Sequence, residues 1–142
     1  MGPDLRVCVL AAVADPAVAR IGRLLDVPTI VSVRALARRR PHVLLLRGPL
    51  EGMMLAALGA TIAGVAAVIY LPVGPAAPLP WWGRRFHRLL LPSQAEARAW
   101  SDAGVALGRL VVVEPGDDLE ERRGLAAVIE EVASMANRPA VR

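Results

Sequence analysis

The sequence predicts an α/β domain whose parallel, doubly wound sheet of six strands carries helices on both faces. Three observations lead there. Short runs rich in Val, Ile and Leu recur six times, and apolar runs without polar alternation belong to strands buried on both faces. Segments with helical apolar spacing separate them, and alternating strands and helices form parallel sheets. Pro16, Pro28, Pro41, Pro49, Pro92 and Pro115 all fall at junctions between runs, where proline punctuates a chain.

The elements follow in order. Leu5–Val13 is a continuous apolar run and the first strand. Asp15-Pro16 supplies an N-cap and a first helical residue, and Val18, Ile21 and Leu25 then share a stripe. After Pro28, Thr29–Val31 is a short second strand, and Ser32 is placed to cap a short helix carrying Arg34, Arg38, Arg39 and Arg40. His42–Arg47 is the third strand, broken by Gly48-Pro49, and a helix is expected from Leu50 to Gly64. Val65–Leu71 is the fourth strand. Pro72–Pro80 has too many prolines for regular structure, and Trp81–Phe86 suits one helical turn.

Arg88–Leu91 is the fifth strand, and Ser93 with Glu96 forms a capping box for a helix ending at Gly104. Arg109–Glu114 is the sixth strand. Asp118–Asn137 closes the chain as an amphipathic helix, with Leu125, Val128, Ile129, Val132 and Ala136 on one face. The strand order expected of this alternation is 3-2-1-4-5-6. One competitor is a membrane span, since Gly52–Leu71 carries no charge and is long enough to cross a bilayer. Arginines flank it on both sides, giving no orientation, and Gly64 before a Val-rich run reads as a helix-to-strand junction.

Composition sets the outer limits. At 142 residues the chain is expected to be a single domain spanning 1–142. It is 55% hydrophobic, which excludes intrinsic disorder. The lone Cys8 excludes an internal disulfide, and two histidines make a structural zinc site a poor expectation, so no metal or cofactor is assigned. No signal-peptide pattern opens the chain, so the cytoplasm is the expected compartment. All 17 basic residues are arginine. Residues 1–92 hold 11 arginines against four acids, and residues 93–142 hold six against nine. That asymmetry favours an anion-attracting face.

Three segments carry a resemblance to a known family. RRRPHVLLLRGPLEGMMLAALGATIAGVAAVIYL (38–71), FHRLLLPSQAEARAWSDAGV (86–105) and GRLVVVEPGDD (108–118) come in its order and spacing. Together they resemble the N-terminal, acceptor-side Rossmann-like domain of GT-B-fold glycosyltransferases. The resemblance is strongest over 38–118, with 119–142 left as a closing helix and tail. It implies a sugar-transferring enzyme that works in a cleft between two domains. The chain departs from the pattern at several points. The turn after the first strand, Ala14-Asp15-Pro16, has no glycine, and the family's acceptor-domain histidine or acid would fall near Leu71-Pro72. The turn that ends the family domain is Glu114-Pro115-Gly116 here. No donor-binding segment follows Asp118, so no catalytic residue is assigned. The resemblance implies a glycosyltransferase-like protein that is non-catalytic alone, as a remnant or as a subunit needing a separate donor-binding chain.

Open α/β sheets bind ligands at the carboxyl ends of their strands. That edge nominates Arg47, Gly48, Ser93, Glu114, Gly116 and Asp118. Arg47-Gly48 leads into a helix N-terminus, a setting that favours anions; Ser93 is best explained as an N-cap. Acids opening the last helix suit its dipole. His42 and His87 sit at the opposite edge, where structural roles are expected, and Cys8 belongs in the core. A second surface, Trp81, Trp82, Arg84, Arg85 and Arg88, suits an anionic membrane or a partner protein. The apolar stripe of the last helix also suits a homodimer. The alternatives to the glycosyltransferase-like reading are a small nucleotide- or phosphate-binding module and a membrane-peripheral domain. Nucleic acid ranks last, for no motif supports it.

Overall fold

The computed structural model describes residues 5–11 and 15–136. The expected ends of the first strand (Ala12 and Val13), the turn residue Ala14 and the helix residue Asn137 lie outside the described residues. The strands are β1 (Val7–Ala11), β2 (Thr29–Ile30), β3 (Val43–Pro49), β4 (Ala67–Val73), β5 (Arg88–Leu91) and β6 (Leu110–Val112). The helices are α1 (Pro16–Leu25), α2 (Arg34–Arg39), α3 (Met54–Ile62), α4 (Gln94–Asp102) and α5 (Asp118–Ala136). Short 3-10 turns cover Leu50–Gly52, Trp81–Arg85 and Leu107–Arg109. The helix expected from Leu50 therefore opens as a 3-10 turn, and Arg109 precedes the sixth strand.

All the strand pairs are parallel, and the six form one sheet. Its order is β2-β1-β3-β4-β5-β6, which corrects the expected 3-2-1-4-5-6. The reason lies in strand length and burial. β2 has two residues, pairs only at Val9–Thr29 and Leu10–Ile30, and leaves Thr29 exposed, so it suits an edge. β3 pairs with β1 from Val43 to Arg47 and with β4 along its whole length. Val43, Leu44, Leu45 and Leu46 are each at most 1% exposed. A strand so apolar on both faces needs neighbours on both sides and layers above and below.

Alternate residues of the sheet feed two cores. Leu44, Leu46, Val68 and Tyr70 pack with α2, α3, the Trp81–Arg85 turn and α4. Val43, Leu45, Ile69 and Leu71 pack with α1 and α5. The first core contains an aromatic cluster. Tyr70 stacks on Phe86 at 4.7 Å between ring centroids, while Trp82 meets Phe86 edge-on at 5.8 Å and Trp100 meets Tyr70 at 6.4 Å. Trp82 is thus a core residue, 6% exposed, and not part of the surface nominated for membrane or partner contact. Arg109 reinforces this region by donating to the Gly83 carbonyl at 2.9 Å and to that of Phe86.

Local chemistry secures the junctions. Asp15 Oδ1 accepts from the Ala17 N–H at 2.7 Å and caps α1, and Ser93 Oγ accepts from the Glu96 N–H at 3.2 Å and caps α4. Ser32 does not cap α2, whose N-cap is Val33 with no side-chain bond. Both histidines are structural. The Arg6 N–H donates to His42 Nδ1 at 2.9 Å, and the Val68 N–H donates to His87 Nδ1 at 3.2 Å. Burial is the chief cause that lowers the His87 pKa, keeping the ring neutral and able to accept. Cys8 is buried in the first core.

The uncharged stretch 52–71 is divided between α3 and the central strand β4, with Gly64 at φ 77° between them. Among the described residues no helix is long and apolar enough to cross a membrane. The central position of β3 makes a test. Leu45→Ala should cost about 2–5 kcal/mol in urea denaturation, whereas Thr29→Ala at the exposed edge should stay within about 0.5 kcal/mol. Equal costs at both positions would contradict the strand order.

Candidate functional site

The order β2-β1-β3 puts the point where the winding reverses between β1 and β3, and open sheets bind ligands outside the carboxyl ends of strands at that point. Arg47 projects from the end of β3 there. Its Nε donates to Asp15 Oδ2 at 3.3 Å, and its Nη1 donates to the Pro72 carbonyl at 2.9 Å. Asp15 thus serves twice, capping α1 with one oxygen and pairing with Arg47 through the other. Burial raises its pKa, but the Ala17 N–H and the Arg47 guanidinium outweigh burial and hold it below the ordinary carboxylate value.

Arg47 lines two cavities. One, of about 190 Å³, lies toward α1 and α5 and is walled mostly by apolar residues such as Leu71, Leu90 and Leu125, with Arg20 and Glu121 as its other charged members. The second, of about 180 Å³, lies toward α4 and is lined by Gly74, Glu96 and Trp100. Leu91 and Pro92 line both. The arrangement offers a cation at the meeting point of two recesses, and a guanidinium suits an anionic or hydroxyl-rich ligand.

The other nominated residues take different places. Gly48 packs against Met53. A Cβ there would lie 2.5 Å from Met53 Cε, and its carbonyl accepts from the buried Tyr70 hydroxyl at 2.7 Å. Burial is the main cause that pushes the Tyr70 phenol well above its ordinary pKa, so it remains a donor. Ser93 is occupied as the α4 cap. Gly116 and Asp118 come together through Arg20, whose Nη2 donates to the Gly116 carbonyl at 3.1 Å and to Asp118 Oδ1 at 2.9 Å. Glu114 is exposed beside them. Of the second surface, Trp81 and Arg84 are exposed and Arg85 is half-buried. Arg88 leaves that surface altogether. It crosses to α5, donating to Glu131 Oε1 at 3.0 Å.

The sequence reading missed Arg20 and Glu121. Arg20 Nε donates to Glu121 Oε2 at 2.6 Å, tying α1 to α5 beside the first cavity. Glu121 is 8% exposed. Its signal was present, because it stands four residues before Leu125 and so lies on the apolar stripe of α5. A carboxylate on a buried stripe calls for a partner.

No family model matches the chain, and no curated protein sequence is similar to it. Two solved structures do match. HepE of Anabaena, crystallised in complex with UDP, superposes with a TM-score of 0.57 at 13% identity, over 79% of this chain and 44% of its own. The fold is similar to that of HepE. A UDP-GlcNAc 2-epimerase of Methanocaldococcus jannaschii matches with a TM-score of 0.46 at 15% identity, over 96% of this chain and 53% of its own. The chain thus spans less than half of HepE, and at such identity the match establishes a shared α/β fold.

The Asp15–Arg47 pair makes the site sensitive to acid in one direction. A carboxyl with a lowered folded pKa adds stability that is present above its unfolded pKa of about 3.9 and is lost as pH falls through the folded value. Asp15→Asn keeps an acceptor for the helix cap while removing the charge. The variant should melt below the wild type at neutral pH, and the gap should close as pH falls below about 4. A gap that is constant with pH would show that the pair adds nothing.

Proposed function

We propose that the chain is a single Rossmann-like unit, the acceptor-side half of a glycosyltransferase-like protein, which does not transfer sugar by itself. The observation that carries this reading is the placement of the three family-like segments. They fall on β3–α3–β4, β5–α4 and β6 of one continuous sheet, in a fold similar to that of a protein crystallised with UDP. The ligand edge of that sheet is the pair of recesses meeting at Arg47.

The residues at this edge favour binding over proton transfer. Asp15 is held ionised by Arg47, and Glu121 and Asp118 are bound by Arg20. Near Leu71-Pro72, where the resemblance would put an acceptor-side acid or histidine, the Pro72 carbonyl serves Arg47. A general acid or base needs a proton it can exchange near working pH, and Asp15, whose pKa the Ala17 N–H and Arg47 hold below the ordinary carboxylate value, is poorly suited to that task. The reading therefore assigns donor activation to a separate chain or domain.

A nucleotide- or phosphate-binding module is the second reading, favoured by the position of the Arg47 guanidinium between two recesses. One experiment separates the two. The purified chain is incubated with a panel of labelled UDP-sugars and, in parallel, its melting temperature is recorded with UDP. The acceptor-half reading expects no hydrolysis or transfer above the blank and no UDP-dependent shift. Stabilisation by UDP that Arg47→Gln abolishes would transfer the assignment to the nucleotide module. Turnover by this chain alone would overturn the non-catalytic assignment.

A further inference from the structure

Helix α3 is built inside out. Its inner face consists of small residues, Ala56, Ala57 and Ala60, which are at most 6% exposed. Its large aliphatic residues point the other way: Leu55 is 71% exposed and Ile62 is 87% exposed. Positions 55, 58 and 62 share one helical stripe, so the partly buried Leu58 continues the same line. A helix at the surface of a water-soluble domain ordinarily reverses this pattern, and one apolar all round is covered by something.

The surroundings of α3 extend the patch and give it a charge. On one side Val33 lies so close to Gly59 that a Cβ there would come within 2.3 Å of its Cγ1. Val31, nearby on the same connection, is 79% exposed. On the other side the Trp81–Arg85 turn is fastened to the helix, with Arg85 Nε donating to Thr61 Oγ1 at 2.8 Å. Trp81 on that turn is 61% exposed. Arg34, Arg38 and Arg39 of α2 and Arg84 of the turn are all exposed. From Val27 to Ala95, leaving out Arg47 and Arg88, which lie elsewhere, the chain holds six arginines and one acid, Glu51.

We propose that this face, α3 with the cationic flanks supplied by α2 and the Trp81–Arg85 turn, docks on an anionic lipid bilayer. Leu55 and Ile62 enter the acyl boundary, Trp81 sits at the headgroup level, and the arginines meet lipid phosphates. Exposed aliphatic side chains ringed by cations match what an interfacial helix presents to such a surface. Nucleic acid satisfies the arginines but offers nothing to Leu55 and Ile62. A second copy of the chain satisfies the aliphatics but sets arginine against arginine, which costs energy. The bilayer alone answers both halves of the patch. The face belongs to the layer opposite α1 and α5, so this inference stands apart from the assignment of the Arg47 edge.

Vesicle flotation tests it. The wild-type chain should float with phosphatidylcholine vesicles containing phosphatidylglycerol, remain below with phosphatidylcholine alone, and be released by high salt. Leu55→Gln and Ile62→Gln should each lower the partition coefficient by about tenfold, with melting temperatures unchanged because both residues are exposed. Leu119→Gln, an exposed apolar residue on α5 in the opposite layer, should bind like the wild type. Flotation of the double variant at wild-type level, or no flotation of the wild type, would overturn the proposal. So would a sedimentation experiment showing a dimer that the same two substitutions dissolve, since that gives the face to a second copy.

Discussion

The burial of β3 on both faces is the constraint on which the rest of the molecule depends. Four consecutive apolar residues that alternate toward two cores cannot be satisfied by one layer. Their need for cover places α2, α3 and α4 on one side and α1 with α5 on the other. It also brings strands to both flanks of β3, which moves β1 beside it and leaves two-residue β2 at the edge. The winding therefore reverses between β1 and β3, and Arg47 near the end of β3 stands at the position where open α/β sheets in general bind ligands.

The two layers that enclose β3 differ in chemistry. The layer of α1 and α5 is tied across by ion pairs, Arg20 with Asp118 and Glu121, and Arg88 reaching from β5 to Glu131. The opposite layer is held by an aromatic cluster and by arginines that donate to backbone carbonyls, as Arg109 does to Gly83. A charge imbalance that in the sequence divides the chain into two halves thus becomes, in three dimensions, a difference between two faces of a sheet. The acid-rich segment Asp118–Glu121 neutralises Arg20 near the carboxyl edge of the sheet, while the arginines of α2 and the Trp81–Arg85 turn are left at the surface.

Much of the fold was legible because its signals are local. Strand runs, the Asp15 and Ser93 caps and the turn at Gly104, which has φ 108°, each act within a few residues. Three expectations failed. Ser32 looked like a cap, but the chain turns into α2 through Val33. Two adjacent tryptophans looked like one surface, yet the 3-10 turn sends Trp82 into Phe86 and Trp81 outward. Arg88 sits near Arg84 and Arg85 in sequence, but strand alternation aims it at α5. For Ser32 and Trp82 the local path of the chain through a short turn decides, whereas for Arg88 the deciding partner, Glu131, is 43 residues away.

Composition, periodicity and capping residues determined that this chain forms a parallel α/β sheet with helices on both faces, because those signals are short-ranged and repeat along the backbone. They also placed Arg47 at the carboxyl end of a buried strand. Only the tertiary structure decided the strand order, because the sequence contains both β2 and β3 as candidates for the centre and the choice rests on which one buries both faces. The pairings of Arg47 with Asp15 and of Arg20 with Glu121 were likewise decided there. Their partners are 32 and 101 residues apart, and only the packed sheet brings such distant charges into reach.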